Sequence, residues 1–597
     1  MTLGILIVLY VLVLGYLGWL GYKHTKTSAD YLVAGRNVHP FIMAMSYGAT
    51  FISTSAIVGF GGVAANIGLS LMWLTFLNIF VGIFIAFVFL GNRTRKMAHK
   101  LDAHTFAELL GRRYRSNFIQ VFVGVLILTM TIYTAVVLIG AGRYLEKTLN
   151  VDFNVALIIF GLIILVYVIS GGLKAVMYTD ALQGSLMFIG MVMLLIFTVI
   201  QLGGLFKAHD ELGKLYDKVI NRDIKGYVIE LGNREGIKIS DKEAEEIVGE
   251  INKIMKEVKG INNKDEKEKV IRDRLYDIEY VHKDKVMLKK VFDIYKDVSL
   301  QIMQKEVLEG LKGKGHRGWV SMPEGGSPLW WLIVTTIILG VGIGVLAQPQ
   351  LAVRFMTVKS KKEINRSVLV GGIFIFVMVG ITYMIGGLSN VWFYDKMGVI
   401  SIVAGEMNVD KIIPTFLNMA TPSWFNYIFM LSLLSAAMST LSSQFHTMGT
   451  AISRDIFERL LGKRLDSNKV IVVNKIGIGV MFVITLVLGY VLPEGYIAAG
   501  TAIFFGLCAS TFLPSYIGGL YWRRGSKAGA IASMISGSVI SIFWLLFVHV
   551  FTISKWGGKS IIGGTWSMVD PLLIGLPIST IVYIVVSLFT AKSERSS

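Results

Sequence analysis

The stretch from 432 to 447, SLLSAAMSTLSSQFHT, carries many hydroxyl side chains inside an apolar segment long enough to cross a bilayer. Most of these hydroxyls recur at spacings of three and four residues, and a packing seam of small residues explains such a stripe. Thr440 lies outside the stripe, because it is rotated by about 100° from Ser439 around the helix. Two adjacent hydroxyls and the carbonyl of residue i−3 can converge on one point, and such neutral oxygens suit a hard cation. The pattern is therefore consistent with a packing seam or with a sodium site.

Two other apolar segments interrupt their own helical pattern. The second segment of the chain reads SYGATFISTSAIVGFGG at 46–62, and the seventh reads ILGVGIGVLAQPQLAVRF at 338–355. Glycine disfavours a helix interior by about 1 kcal/mol and proline by about 3 kcal/mol, so both segments are poor continuous helices. Because the two are five spans apart, they enter the membrane from opposite sides, as in an inverted-repeat transporter whose site lies between the two breaks. The alternative is that the glycines only allow close helix packing.

These segments belong to an all-α integral membrane protein. The chain has 597 residues, of which only 16% are charged, and its mean hydropathy is +0.63. Soluble domains have roughly 25% charged residues. Apolar runs of membrane-spanning length predict about thirteen transmembrane helices, at 2–22, 40–65, 70–92, 117–142, 153–171, 180–204, 328–352, 367–392, 425–450, 468–490, 494–520, 527–551 and 571–590.

The basic loops fix an orientation for this arrangement. With the N-terminus outside the cell, every positive cluster between spans falls in the cytoplasm, as does the C-terminus. The clusters are KHTK, NRTRKMAHK, GRRYR, RFMTVKSKKEINR, RDIFERLLGKR, YWRRGSK and AKSER. We therefore expect a multi-pass protein of the plasma membrane.

The long segment between spans six and seven is different in composition. Residues 206–318 hold 25 basic and 23 acidic side chains, which leaves 33 basic and 17 acidic ones for the membrane part. The positive excess thus lies in loops beside the membrane, which argues against nucleic acid as a partner. Ser240 and Glu243 form a capping-box pattern. We expect an extracellular helical lobe at 205–320 that carries no chemistry of its own.

Several stretches resemble the sodium:solute symporter family, which includes sodium-coupled proline, pantothenate and glucose transporters. They cover nearly the whole chain except the insert and read YLVAGRNVHP, GATFISTSAIVGFGG, SGGLKAVMYTDALQG, AQPQLAVRFM, LSAAMSTLSSQ and GLYWRRGSKAGAIASMISG. The resemblance implies a LeuT-type fold of two inverted repeats with five helices each. The parts would be an extra N-terminal helix (1–25), the first repeat (40–204), the insert (205–320), the second repeat (328–520), and two last helices with a short cytoplasmic tail (527–597).

The resemblance also implies site residues. The sodium ligands would be the carbonyls of Ala49, Ile52 and Ala436 and the hydroxyls of Ser439 and Thr440. Asp180 matches an acidic residue near the cytoplasmic exit path of the ion; its alternative role is to cap a helix that starts there.

The residues facing the solute are predicted to be Ser53, Ser55, Tyr133 and Gln348, although each could equally satisfy a neighbouring helix. Proline-transporting members place a carboxylate and a tryptophan where this chain has Phe51 and Ser55. They also have aromatic residues where it has Val341 and Val345. The resemblance therefore does not favour proline as the solute.

The predicted function is sodium-coupled import of a small organic solute, such as an amino acid, a carboxylate or a vitamin, by alternating access. Sodium would be the coupling ion, the lipid bilayer the surroundings, and no catalytic residue or other cofactor is expected. Two alternatives remain open. One is a proton-coupled transporter of the same fold, for which His446 is the titratable group nearest the site, and the other is a membrane solute sensor that uses the external lobe.

Overall fold

The computed structural model describes residues 2–25, 27–261, 264–276, 285–462, 465–493, 495–549, 554 and 557–590. Throughout these residues the regular structure is helical. The predicted C-terminal tail beyond Thr590 lies outside the described residues. The membrane helices and the short helix α5 are α1 (Thr2–Lys23), α2 (Pro40–Phe51), α3 (Ser55–Ile67), α4 (Leu69–Lys100), α5 (Phe106–Arg113), α6 (Asn117–Leu149) and α7 (Phe153–Gln201).

The insert and the second half of the chain supply the remaining helices. Five of them belong to the insert: α8 (Leu205–Ile220), α9 (Ile224–Arg234), α10 (Asp241–Glu257), α11 (Lys264–Tyr276) and α12 (Lys285–Lys312). The others are α13 (Pro328–Met356), α14 (Lys361–Met397), α15 (Val409–Ala420), α16 (Ser423–Leu460), α17 (Ser467–Val491), α18 (Ile497–Tyr521), α19 (Lys527–Phe547) and α20 (Pro571–Thr590).

Ten helices of the described chain are long and apolar enough to cross a membrane, and the bent pair α2–α3 adds an eleventh span. Two shorter apolar segments, Val8–Gly21 and Phe153–Val166, coincide with the predicted first and fifth spans. The predicted fifth and sixth spans follow each other directly within α7 as two helical segments. They meet at Gly172, whose non-helical backbone (φ of +66°) is readily adopted by glycine.

The first break lies earlier than the glycines that suggested it. Helix α2 ends at Phe51, Ile52 is extended, and α3 leaves at an angle of 53°. The glycines that follow lie inside α3, where they allow close packing. A Cβ on Gly62 would lie 1.9 Å from the carbonyl oxygen of Val409. The break therefore lies at residues 52–54, ahead of the glycines, which serve helix packing.

The second break is narrower than the first. Just before this break, the last turn of α13 is a tighter 3₁₀ turn at Val345–Ala347. Gln348, which follows it, is extended with ψ of 116°. Pro349 then starts a new helical segment, a position where its missing N–H removes nothing. A single extended residue interrupts α13, which still counts as one span.

The insert is helical, as predicted, but it is not one independent lobe. Side chains of α9 to α12, among them Val228, Ile251 and Val298, form a core of their own. The base of the insert instead joins the core of the membrane part, through α8, the end of α12 and the buried Trp319. The backbone N–H of Leu69, just after the C-terminal end of α3, donates to the carbonyl of Trp319 at 2.6 Å.

This division predicts different outcomes for two deletions. Replacing residues 224–299 by a flexible linker of about six residues removes only the outer core, and the linker can span the base because Arg222 hydrogen-bonds with Gln301 at 3.0 Å. We expect monodisperse protein with its melting temperature nearly unchanged in detergent.

Deleting 205–320 should lower that melting temperature sharply, because it removes Trp319 and the apolar face of α8 from the main core. Equal stability of the two deletion variants would show that the base contributes nothing to the membrane part.

Candidate ion and solute site

The two adjacent hydroxyls of α16 meet the broken end of α2. Ser439 Oγ donates to the carbonyl of Ala49 at 2.8 Å and lies 3.3 Å from the carbonyl oxygen of Ala436. Thr440 Oγ1 donates to the carbonyl of Thr50 at 3.1 Å and lies 3.5 Å from that of Ala49. All five residues are fully buried. Four of the five predicted sodium ligands thus lie together, and the Thr50 carbonyl joins them without having been predicted.

Ile52, the fifth predicted ligand, is the residue that ends α2. Its N–H still donates to Gly48 O at 2.9 Å, but its ψ of 101° takes its own carbonyl out of the helical pattern. The last carbonyls of a helix have no partner within the helix. The break therefore supplies backbone oxygens that have no partner within α2 at the place where α16 presents its hydroxyls.

The chemistry of this site is that of neutral oxygen. Carbonyl oxygens accept only, and each hydroxyl has lone pairs that become available when its hydrogen rotates. Hard cations prefer oxygen ligands of this kind. Among the described residues, histidine, cysteine and carboxylate side chains form no group that could hold a metal ion.

Asp180 lies beside this site in a buried ion pair. Its Oδ2 is 3.2 Å from Arg354 Nη2 and accepts from Ser46 Oγ at 2.7 Å and from Thr50 Oγ1 at 3.4 Å. Asp180 and Arg354 are both at most 1% exposed. The alternative role of a helix cap is wrong, because α7 continues through Asp180 without interruption.

The guanidinium of Arg354 connects four helices. From the segment after the second break it donates to Ser46 and Thr50 of α2, to Asp180 of α7 and to Ser443 of α16. The sequence does not indicate this role, because Arg354 falls within the basic cluster RFMTVKSKKEINR, a pattern typical of a cytoplasmic loop. Its position in the last turn of an apolar helix was the signal that could have separated it from the lysines that follow.

Three of the predicted solute-facing residues also meet at the first break. Tyr133 OH donates to Ser53 Oγ at 3.4 Å, and the N–H of Ser55 donates to the same oxygen at 3.1 Å. Ser55 Oγ is buried and has no hydrogen-bond partner among the described residues. The arrangement therefore offers a free hydroxyl next to a tyrosine in the break.

An aromatic cluster that the sequence did not indicate links this group to the second break. The ring of Tyr133 stacks on that of Phe504 with 5.7 Å between ring centroids, and it meets the ring of Phe505 edge-on at a centroid distance of 5.2 Å. The ring centroids of Phe51 and Phe505 are 6.3 Å apart, and the backbone of Phe505 also packs against Gly344 of α13. Apolar walls with a few polar groups are typical of small-molecule sites.

Gln348, the fourth predicted residue, lies in the second break and is engaged locally. Its Nε2 donates to Gly344 O at 3.2 Å, and its Oε1 accepts from Gln350 Nε2 at 3.3 Å. The thiol of Cys508 on α18 is a further hydrogen-bonding neighbour. Helix α18 therefore connects Gln348 with the solute-facing residues of the first break, because its Cys508 contacts Gln348 and its Phe505 contacts Tyr133.

Comparison with known proteins gives a consistent result. A model of the sodium:solute symporter family matches residues 31–239 and 320–537. An osmoregulated proline transporter of Bacillus subtilis is 22% identical over 99% of this chain and 95% of its own length, and a sodium/proline symporter of Staphylococcus aureus is 23% identical over 91% and 86%. A solved sodium-coupled sialic acid symporter, substrate-bound and outward-open, covers 99% of this chain and 98% of its own with a TM-score of 0.65 at 15% identity, a likeness of fold.

The buried ion pair generates a prediction about stability. Arg354→Met leaves the Asp180 carboxylate without its cation, and breaking one side of a buried pair costs about 3–5 kcal/mol. We expect a large fall in the melting temperature of the purified protein, measured by its tryptophan fluorescence. The double variant Asp180→Asn/Arg354→Met should lose less than the sum of the two single variants.

Lys214→Met provides the control, because its ion pair with Asp210 lies in the solvent. Its melting temperature should equal that of the unsubstituted protein. Simple additivity of the Asp180 and Arg354 substitutions would mean that the two side chains do not stabilise each other.

Proposed function

The chain belongs to the sodium:solute symporter family, and on this basis we propose that it imports a small organic solute together with sodium by alternating access. Sodium-coupled symport follows from the family. The residues, the direction and the solute are our proposal. The observation that carries it is the convergence of Ser439 and Thr440 on the carbonyl of Ala49 at the broken end of α2.

We place sodium between the carbonyls of Ala49, Ile52 and Ala436 and the hydroxyls of Ser439 and Thr440. Support comes from the distances of 2.8–3.5 Å that already join four of these residues. A bound cation would turn the hydroxyl hydrogens away and tie α2 to α16. Since an ion shifts an equilibrium only through a difference in affinity, sodium would favour the conformation in which these two helices meet.

The proposed topology has thirteen spans, counting the bent pair as one span and including the two shorter apolar segments. It has the N-terminus outside, the C-terminus and the basic loops in the cytoplasm, and the insert outside. The repeats would be residues 40–204 and 328–520, each opening with a broken helix, which supports an inverted repeat of the LeuT type. The likeness of fold to the sialic acid symporter is consistent with this assignment.

The coupling is energetically sufficient for uptake. One positive charge that crosses 100 mV releases about 2.3 kcal/mol. A tenfold sodium gradient adds about 1.4 kcal/mol. One sodium per cycle therefore supports roughly 500-fold accumulation of a neutral solute.

The solute would bind between the two breaks, against Ser53, Ser55 and Tyr133 and near Gln348. Support comes from the unpartnered Ser55 Oγ and from the aromatic rings beside Tyr133. Two relatives are named for proline, but at 22–23% identity their solute does not transfer by itself, and Phe51 and Ser55 replace groups expected of proline-transporting members. We propose an amino acid, a carboxylate or a vitamin such as pantothenate.

Proton coupling is the remaining alternative with a residue to carry it. His446 is buried on α16 and its ring packs against Tyr31, away from the oxygen ligands of the proposed sodium site. This position makes it a poorer coupling group than the hydroxyl pair.

We expect that Ser439→Ala/Thr440→Ala raises the sodium concentration for half-maximal uptake by about tenfold or more, since each lost ligand contributes on the order of 1 kcal/mol. The solute would first be identified by thermal shift of the purified protein with amino acids, carboxylates and vitamins, with sodium or with choline. Uptake would then be measured in proteoliposomes against external sodium.

Ser432→Ala is the matched control. Ser432 lies on the same helix, but its hydroxyl donates to Leu186 O at 2.9 Å, outside the site. In Ser432→Ala, the sodium concentration for half-maximal uptake should be unchanged. The assignment of Ser439 and Thr440 is wrong if the double variant is activated like the unsubstituted protein, and uptake driven by a pH gradient in choline would instead support proton coupling.

A further inference from the structure

A second buried carboxylate lies on α16, near its basic end. Asp455 is fully buried, and its Oδ1 accepts from Thr105 Oγ1 at 2.7 Å and from Gln120 Nε2 at 2.9 Å. Its Oδ2 is buried and has no hydrogen-bond partner among the described residues. An unpaired carboxylate oxygen at this depth is costly unless a cation or a proton neutralises it.

The charges around Asp455 are already balanced without it. Arg454 pairs with Glu458 at 2.7 Å and lies 3.5 Å from Glu108, which also binds Arg112. Burial alone would raise the pKa of Glu108, but the hydrogen bond from His104 and the charges of Arg454 and Arg112 outweigh it and lower the pKa to about 2. Glu108 is therefore ionised at neutral pH, and the two arginines are matched by Glu108 and Glu458.

The other basic groups near Asp455 are hydrogen-bonded or ion-paired to other residues. Arg354 is bound to Asp180, and Arg459 donates to Gln120 Oε1 at 2.7 Å. His104 lies 3.6 Å from Glu108 and 3.7 Å from Asp102. Within the described part of the chain, Asp455 is thus a carboxylate without an ion-pair partner.

A small cavity opens beside this carboxylate. Its volume is about 10 Å³, roughly the space of one water molecule or one ion. Oxygen-bearing side chains lining it are Thr105, Thr447, Thr450 and Asp455. The nitrogen-bearing side chains of Arg354, His104 and His446 line it as well, and Arg354 is already paired with Asp180. Residues 451–457 form a π-helical turn, a local change of helical register that is frequent at functional sites.

Hydroxyls connect this cavity with the proposed sodium site. Along α16 they recur every three or four residues from Ser439 through Ser443 and Thr447 to Thr450. Thr447 Oγ1 donates to Ser443 O at 2.8 Å, and Thr450 Oγ1 donates to Thr447 O at 2.9 Å. The stripe that looks like a packing seam in the sequence therefore leads from one oxygen cluster to the other.

We propose that Asp455, with Thr450 and Thr105, forms a second, inner sodium site at which the ion rests before its release. The proposal rests on the sodium coupling proposed above. At this site Asp455 Oδ2 supplies the negative charge and the threonine hydroxyls supply neutral oxygens, a donor set suited to a hard monovalent cation. Because the carboxyl group of Asp455 has no ion-pair partner among the described residues, a cation can bind there in place of a proton, without displacing any ion pair of the structure.

Sodium binding to the purified full-length protein tests this site directly. Radioactive sodium binding should give two sodium ions per chain in the unsubstituted protein and one in Asp455→Asn. Asp455→Glu should restore the second ion with weaker affinity. Thr450→Val, which keeps the carboxylate and loses one oxygen, should weaken the inner site by about threefold or more.

Two further variants separate this proposal from the function on which it rests. Ser439→Ala/Thr440→Ala should also bind one sodium, and it should retain the one that Asp455→Asn loses. Asp570→Asn is the matched control, because Asp570 is an equally buried carboxylate that caps α20 through the N–H of Leu572 at 2.8 Å. It should bind two ions.

If Asp455→Asn binds as many sodium ions as the unsubstituted protein, the inner site does not exist. If it fails to fold, unchanged affinity in Thr450→Val overturns the proposal. Loss of an ion in Asp455→Asn but not in Ser439→Ala/Thr440→Ala would keep the inner site and reject the site at the break.

Discussion

A helix that stops inside a membrane leaves backbone carbonyls that lipid cannot satisfy, and most features of this protein follow from one such stop. Helix α2 ends at Phe51, and the carbonyls of Ala49 and Thr50 find their partners on Ser439 and Thr440 of α16. Unsatisfied backbone groups at this depth cost several kcal/mol each. The two helices must therefore either remain in contact or exchange these hydrogen bonds for a cation, and this choice couples ion binding to conformation.

No charged side chain joins the oxygen site itself, but the buried ion pair of Asp180 and Arg354 lies directly beside it. The guanidinium of Arg354 neutralises Asp180 and at the same time joins the segment after the second break to α2 and α16. Buried ion pairs add little net stability, yet they hold elements in one arrangement because breaking them leaves an uncompensated charge. Any movement of the broken helices against α16 has to rearrange this network. The two breaks are thus coupled through one side chain.

The sequence predicts the parts that rest on local pattern and misses those that depend on tertiary partners. Spacing separated Thr440 from the packing stripe, and the hydroxyl pair does meet Ala49. The glycines of the second span located its break only approximately, because they serve packing. Arg354 resembled a loop cation until its partner Asp180 was known. A carboxylate such as Asp455 becomes informative only when the arginines around it are seen to be paired with other groups.

The central claim is that sodium joins the broken end of α2 to α16. Hydrogen–deuterium exchange of the purified protein in sodium or in choline tests it most directly, in peptides that cover 44–58 and 434–446. The account predicts slower exchange in both peptides with sodium, no change in α19, and loss of the effect in Ser439→Ala/Thr440→Ala. Equal exchange in sodium and in choline at saturating concentration would contradict it.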